Sequence, residues 1–146
     1  MRALALDIGS VRLGLAISDA DGRMAFPLET LPARPADRAA REVARIVRER
    51  EVEHVVVGLP LDLSGREGAA VRRTRRFVDT LRAHLGDIPV SEWDERLSSA
   101  AAERALLDLD VRRQRRREVV DQVAATLFLQ AFLDARGPAS PPPERP

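Results

Sequence analysis

The chain has 146 residues, 45% apolar and 32% charged, and its 24 basic groups against 23 acidic ones leave a formal net charge of +1. That length suits one domain withdrawing roughly 70% of its unfolded surface from water, and the charge balance excludes a uniformly basic coat protein and an acidic disordered one. Cysteine is absent and all 24 basic residues are arginine, which excludes disulfides, zinc ribbons and thiol catalysis and makes every cation permanent.

Four Phe and one Trp with no Tyr are too few for a module that stacks bases on an aromatic sheet, so any nucleic-acid contact should run through the backbone. No apolar run is long enough to span a membrane and no charged-then-apolar leader opens the chain, so the expectation is a soluble cytoplasmic protein.

Arg2 to Asp7 is an apolar run ending in Asp-Ile-Gly, and Leu13 to Ser18 is a second, which predicts two strands around a tight turn at Gly9. The first should be buried on both faces. Asp21-Gly22 supplies the positive φ angles of a short hairpin, and Met24 to Leu31 is then a third antiparallel strand. Pro27 has no N–H for a ladder, which puts this strand at the sheet edge or at a bulge.

From Ala36 to Glu49, Ala39, Ala40, Val43, Ala44, Ile46 and Val47 recur at spacings of three and four, an amphipathic helix with its arginines outward. His54 to Gly58 is a β-branched strand stopped by glycine, Leu59 to Gly65 is a loop, and Gly68 to Leu85 is a second helix. Val90 to Asp94 is a fifth strand, Ser98 to Leu109 a helix capped by Ser98 or Ser99, and Glu118 to Ala135 a last helix. Residues 1–136 are thus expected to form a single domain, followed by a disordered proline-rich tail over 137–146. Three antiparallel strands followed by two parallel crossovers make a five-stranded mixed α/β sheet flanked by helices, the ribonuclease H-like order.

Asp7 ends a central strand before a glycine turn, where ligands approach an α/β sheet, although an Asp there also accepts turn amides. One of Asp94 and Glu95, which follow the fifth strand, should face the same rim. Asp121 is expected in the first turn of the last helix. A helix dipole would explain it alone, yet it shares a stripe with Ala125, Phe128 and Phe132, which puts the carboxylate at the edge of a buried face. Three such carboxylates converging within metal-bridging distance would suit Mg²⁺ or Mn²⁺ and phosphodiester hydrolysis. His54 and His84 have no serine and acid setting and are expected to be structural. The first motif also resembles the phosphate loop of the sugar-kinase, Hsp70 and actin group, but that group closes two such halves around ATP and this chain carries one.

The segments Asp7 to Asp19, Val57 to Gly68, Asp94 to Ser99 and Asp121 to Ala125 together resemble the YqgF family, also called RuvX, over about Arg2 to Leu133. The resemblance implies a ribonuclease H-like fold related to the RuvC resolvase. It also implies a metal-dependent nuclease that trims the 5′ end of the small-subunit ribosomal RNA precursor. Carried onto this chain it implies catalytic Asp7, Glu95 or its neighbour Asp94, and Asp121, with Asp7, Glu95 and Asp121 as metal ligands. Resolvases of the RuvC type often carry another acid one turn beyond the last; this chain has Ala124 there.

The glycines Gly65 and Gly68 lead into a helix N-terminus whose amides could hold a substrate phosphate, or they form a plain connector. Arg12 and Arg96, beside the acids, are candidates for phosphate contact or for neutralising the empty cluster. Arg66 to Arg82 and Arg104 to Arg117 each hold six arginines against two acids. Within the second window, Arg112, Arg113, Arg115, Arg116 and Arg117 form a connector just before Asp121, where a polyanion would pass. The leading function is a nuclease on structured RNA, acting as monomer or homodimer. The alternatives are a resolvase of branched DNA, which needs paired sites in a dimer, and a non-catalytic nucleic-acid-binding or transcription-associated factor.

Overall fold

The computed structural model describes residues 1–61, 64–97 and 113–136, with the backbone alone for 97 and 113–120. Its strands are β1 (Ala3–Ile8), β2 (Arg12–Ser18), β3 (Ala25–Pro32), β4 (His54–Leu59) and β5 (Val90–Asp94). Its helices are α1 (Ala36–Glu49), α2 (Ala69–Leu85) and α3 (Arg113–Ala135), with a 3₁₀ turn at Glu95–Leu97. The five strands form one sheet in the order β3-β2-β1-β4-β5. β1 pairs antiparallel with β2 and β2 with β3, while β4 runs parallel to β1 and β5 parallel to β4. This is the expected mixed sheet.

The period of two along a strand divides the core. Leu4, Leu6 and Ile8 of β1, with Leu13, Leu15, Val55 and Val57, face α1 and α2 and pack on Val43, Val47, Phe77 and Leu81. The alternate residues Ala3, Ala5, Ala16 and Val56 face α3 and meet Ala125, Phe128, Leu129 and Phe132. β1 is therefore buried on both faces, as its continuous apolar run predicts. Small side chains dominate the second face, so α3 lies close to the sheet.

β3 is the edge strand, and its register with β2 shifts between Leu15 and Ala16, so that Ala16 pairs with Pro27 and Leu15 with Glu29. The proline thus sits at a bulge on an edge, where its missing N–H costs no ladder bond. Gln130 of α3 ties this edge down: its Oε1 accepts from the Ala25 N–H at 2.9 Å and its Nε2 donates to the Arg23 carbonyl at 2.9 Å. Gln122 Nε2 donates to Thr30 Oγ1 at 2.8 Å one stretch further up the same helix.

Two expectations need correction. α3 begins at Arg113 rather than Glu118, so Arg113, Arg115, Arg116 and Arg117 are helical and not a connector. Arginine and glutamine are good helix formers, and nothing in Arg-Gln-Arg-Arg-Arg breaks a helix. Asp121 consequently lies about two turns inside α3 rather than in its first turn, beyond the reach of the helix dipole. Arg112, the helix predicted over 98–109 and the tail over 137–146 lie outside the described residues. Among the described residues no helix is long and apolar enough to cross a membrane.

Candidate catalytic carboxylate site

Asp7 is the penultimate residue of β1, and its parity with Ala3 and Ala5 turns it toward α3. Glu95 opens the 3₁₀ turn after β5 and returns across β4 to hydrogen-bond Asp7. Burial is the main cause that pushes the Asp7 carboxyl up to about 9, and the hydrogen bond to Glu95 and its negative charge add to it. In this pair the Asp7 carboxyl is the hydrogen-bond donor and Glu95 the acceptor. Asp121 reaches the same end of the sheet from α3. Burial and then the charge of Asp7 raise it to about 6, against the pull of the Arg12 guanidinium, whose Nε stands 3.8 Å from Asp121 Oδ2.

The approach of these three acids depends on two glycines that sequence reasoning passed over. Gly14 of β2 pairs with Asp7 across the ladder, and a Cβ on it would overlap the Asp121 backbone. Gly58 of β4 plays the same part for Glu95, whose Oε1 fills the space a Cβ would take. The signal was available, since glycine inside a strand commonly marks a close approach. Gly14 was read only as part of an apolar run and Gly58 only as a stop.

Asp94 and Glu95 part company at the end of β5. Asp94 accepts from the Arg96 backbone N–H at 3.0 Å, and its Oδ2 accepts from Arg96 Nε at 2.9 Å and Nη2 at 2.5 Å. That hydrogen bonding holds Asp94 below the usual carboxylate range. Asp94 is thus committed to Arg96, and it is Glu95 that joins Asp7. Arg96 in turn borders the β4–α2 loop, where a Cβ on Gly65, at φ +83°, would lie 3.2 Å from its Nη1. Gly68 sits in open space at the N-cap of α2.

The other predicted residues fall elsewhere. Arg113, Arg115, Arg116 and Arg117 precede Asp121 on α3, with side chains outside the described set. Both histidines take structural partners: His54 Nε2 bonds Ser91 Oγ at 2.7 Å, and His84 Nε2 bonds Asp37 Oδ1 at 3.1 Å.

The carboxylate oxygens at this end of the sheet are the hard donors that Mg²⁺ and Mn²⁺ take, and the two glycines let Asp121 and Glu95 lie against the strands there. The three acids converge on one end of the sheet, but they do not close to a three-residue metal cage as they stand; among the described residues no such group of three is drawn together. Asp7 touches Glu95, while Asp121 stands back toward Arg12.

The chain matches the family described as "RuvX: Holliday junction resolvase" over residues 1–135. A "Putative pre-16S rRNA nuclease" of Chloroflexus aggregans is 50% identical over 133 residues, covering 91% of this chain and 93% of the relative. One of the same name in Myxococcus xanthus is 49% identical over 140 residues, covering 94% and 91%. Among solved structures, T. thermophilus RuvC in complex with Holliday junction substrate superposes at a TM-score of 0.61 and 20% identity, over 97% of this chain and 99% of that one. Fowlpox virus resolvase with Holliday junction DNA gives a TM-score of 0.57 at 11% identity, over 94% and 99%. These last two likenesses establish the fold.

Proposed function

The chain belongs to the RuvX family, described as Holliday junction resolvase, and on that premise we propose that it is a metal-dependent nuclease that hydrolyses phosphodiester bonds in the 5′-end processing of precursor 16S rRNA in the cytoplasm. The observation that carries the reading is the hydrogen-bonded pair of Asp7 and Glu95 with Asp121 near enough to feel Asp7, three acids from separate elements at one end of the sheet, with glycine where Asp121 and Glu95 press against the strands. Crowded, half-buried carboxylates ionise together only at a cost, and a bound cation would remove that cost.

Asp7 and Glu95 would hold Mg²⁺ or Mn²⁺, with Asp121 as the third ligand. A divalent cation there supplies Lewis-acid polarisation of a phosphoryl oxygen and acidifies a water. Asp7 would hold the cation in its ionised form, and Asp121 would face it from beside Arg12. Arg12, at the same end of the sheet, would take a substrate phosphate with its fork of N–H donors. Arg96 holds Asp94 aside and braces the loop at Gly65, a positioning role that leaves Glu95 the acid aimed at the site. The helical arginines at 113–117 and Arg112 before them would guide the polyanion toward Asp121.

Junction DNA is the second reading, favoured by the family description. Pure protein incubated with precursor 16S rRNA and with four-way junction DNA, each with Mg²⁺, Mn²⁺ or chelator, decides between them. Metal-dependent cleavage of the RNA supports the proposal, paired cuts in the junction support the second reading, and chelator-insensitive binding without cleavage of either overturns both in favour of a non-catalytic factor.

A further inference from the structure

On the face of β1 opposite the acids, a cavity of about 350 Å³ lies between the β1–β2 turn, the start of α1 and the side of α2. Ile8 and Phe77 supply an apolar floor, Ser10 stands at the turn, and Arg34, Arg73 and Arg76 supply three cations with no acidic residue among the lining groups. Elsewhere five arginines are matched to carboxylates: Arg12 with Asp121, Arg41 with Asp37, Arg45 with Glu42 and Glu49, Arg75 with Glu67 and Glu92, Arg96 with Asp94. Arg34, Arg73 and Arg76 have no ion pair among the described residues, and the Nε of Arg73 is buried with no acceptor.

A buried guanidinium N–H left without an acceptor is costly, so the Arg73 Nε, with exposed Arg34 and Arg76 lining the same cavity, calls for an acceptor from outside the chain. Donors without acceptors select an anion, and planar guanidinium forks fit phosphate oxygens. The volume exceeds what phosphate alone fills and matches small-ligand sites of about 300 Å³ and more, with an apolar floor to take a base. Ile8 is the residue after Asp7, so cavity and acids lie on the two faces of the same strand end.

We propose that this cavity is a nucleotide subsite: Arg34, Arg73 and Arg76 hold the phosphate of one unpaired nucleotide of the substrate, its base lies on Ile8 and Phe77, and the strand is thereby set in register over Asp7. The subsite rests on the nuclease reading for its purpose, but its binding can be measured without cleavage.

The test titrates adenosine 5′-monophosphate, inorganic phosphate and a short single-stranded oligonucleotide into the full chain carrying Asp7→Asn, and reads the amide resonances of Ser10 and Thr80. The mononucleotide should shift both and bind more tightly than phosphate. R73Q/R76Q, and separately R34Q/R76Q at two exposed positions that cannot disturb the core, should weaken nucleotide and oligonucleotide by about tenfold or more. In the cleaving protein the same pairs should raise KM and leave kcat and metal dependence in place. Equal binding by parent and both arginine pairs overturns the subsite, as does saturation by phosphate with no gain for the nucleotide. Absence of cleavage in the parent would instead overturn the nuclease reading, while the Asp7→Asn titration still decides the cavity.

Discussion

The two faces of one sheet are built on opposite principles. Toward α1 and α2 the strands present Leu4, Leu6, Ile8, Leu13, Leu15, Val55 and Val57, side chains whose burial supplies most of the apolar stabilisation. Toward α3 the same strands present Ala3, Ala5, Asp7, Gly14, Ala16, Val56 and Gly58, most of which contribute little area and admit a helix closely. The difference teaches where function resides. A face packed with large aliphatic side chains has no room for convergent carboxylates, and a face of small ones gives up burial to bring charges together, the kind of local cost that functional sites carry.

The sharpest way to break this contrast is Asp7→Asn, which keeps the shape of the α3 face and removes a carboxylate that would hold a cation. Cleavage should fall by about 1000-fold or more, as for loss of a key electrostatic group, while circular dichroism stays that of the parent. Undiminished cleavage by pure variant would end the assignment.

Leu6→Ala probes the opposite face. It should cost about 2–5 kcal/mol in denaturant unfolding and leave cleavage per folded molecule at the parent value. If instead it abolished cleavage in protein shown to be folded, the division of labour between faces would not hold. Gly14→Ala sits between these extremes, since its methyl runs into the backbone at Asp121. It should destabilise by about 1–3 kcal/mol and also slow cleavage, which no substitution on the α1/α2 face should do at equal stability.

A smaller effect sets the faces apart by pH. Asp7 rises from 3.8 to about 9 and Asp121 from 3.8 to about 6, so the folded state binds their protons more tightly than the unfolded chain does. Stability of the metal-free protein should therefore fall as pH rises, most steeply between about 4 and 6 where both titrate, and on toward 9 through Asp7 alone. Thermal melts across that range should show the fall in the parent and a flatter curve in Asp7→Asn, whose melting temperature at pH 7 should exceed the parent's by a few degrees, about 2–8 °C. The smallest effect is expected of Asp94→Asn. With its carboxylate engaged by Arg96 at the surface, it should cost under about 1 kcal/mol and change cleavage only a few-fold.

The order of the strands, the amphipathic face of α1, the edge position of β3 and the double burial of β1 were all legible in the sequence, because each follows from periodicity, from Pro27 or from an unbroken apolar run. The acids themselves were legible as positions: Asp7 at a strand end, a carboxylate after β5, Asp121 on the stripe of Ala125 and Phe128. Local pattern could not choose between Asp94 and Glu95, because which neighbour turns inward depends on how Arg96 folds back on the end of β5. Nor could it give Gly14 and Gly58 their purpose, since a glycine's use as clearance exists only once Asp121 or Glu95 is laid against it. The Arg12–Asp121 pair and the arginine-lined cavity behind Ile8 were likewise settled by tertiary packing, for they join residues far apart in the chain. Sequence periodicity determines which elements form and which faces they bury; the distance between charges on different elements is decided only when those faces meet.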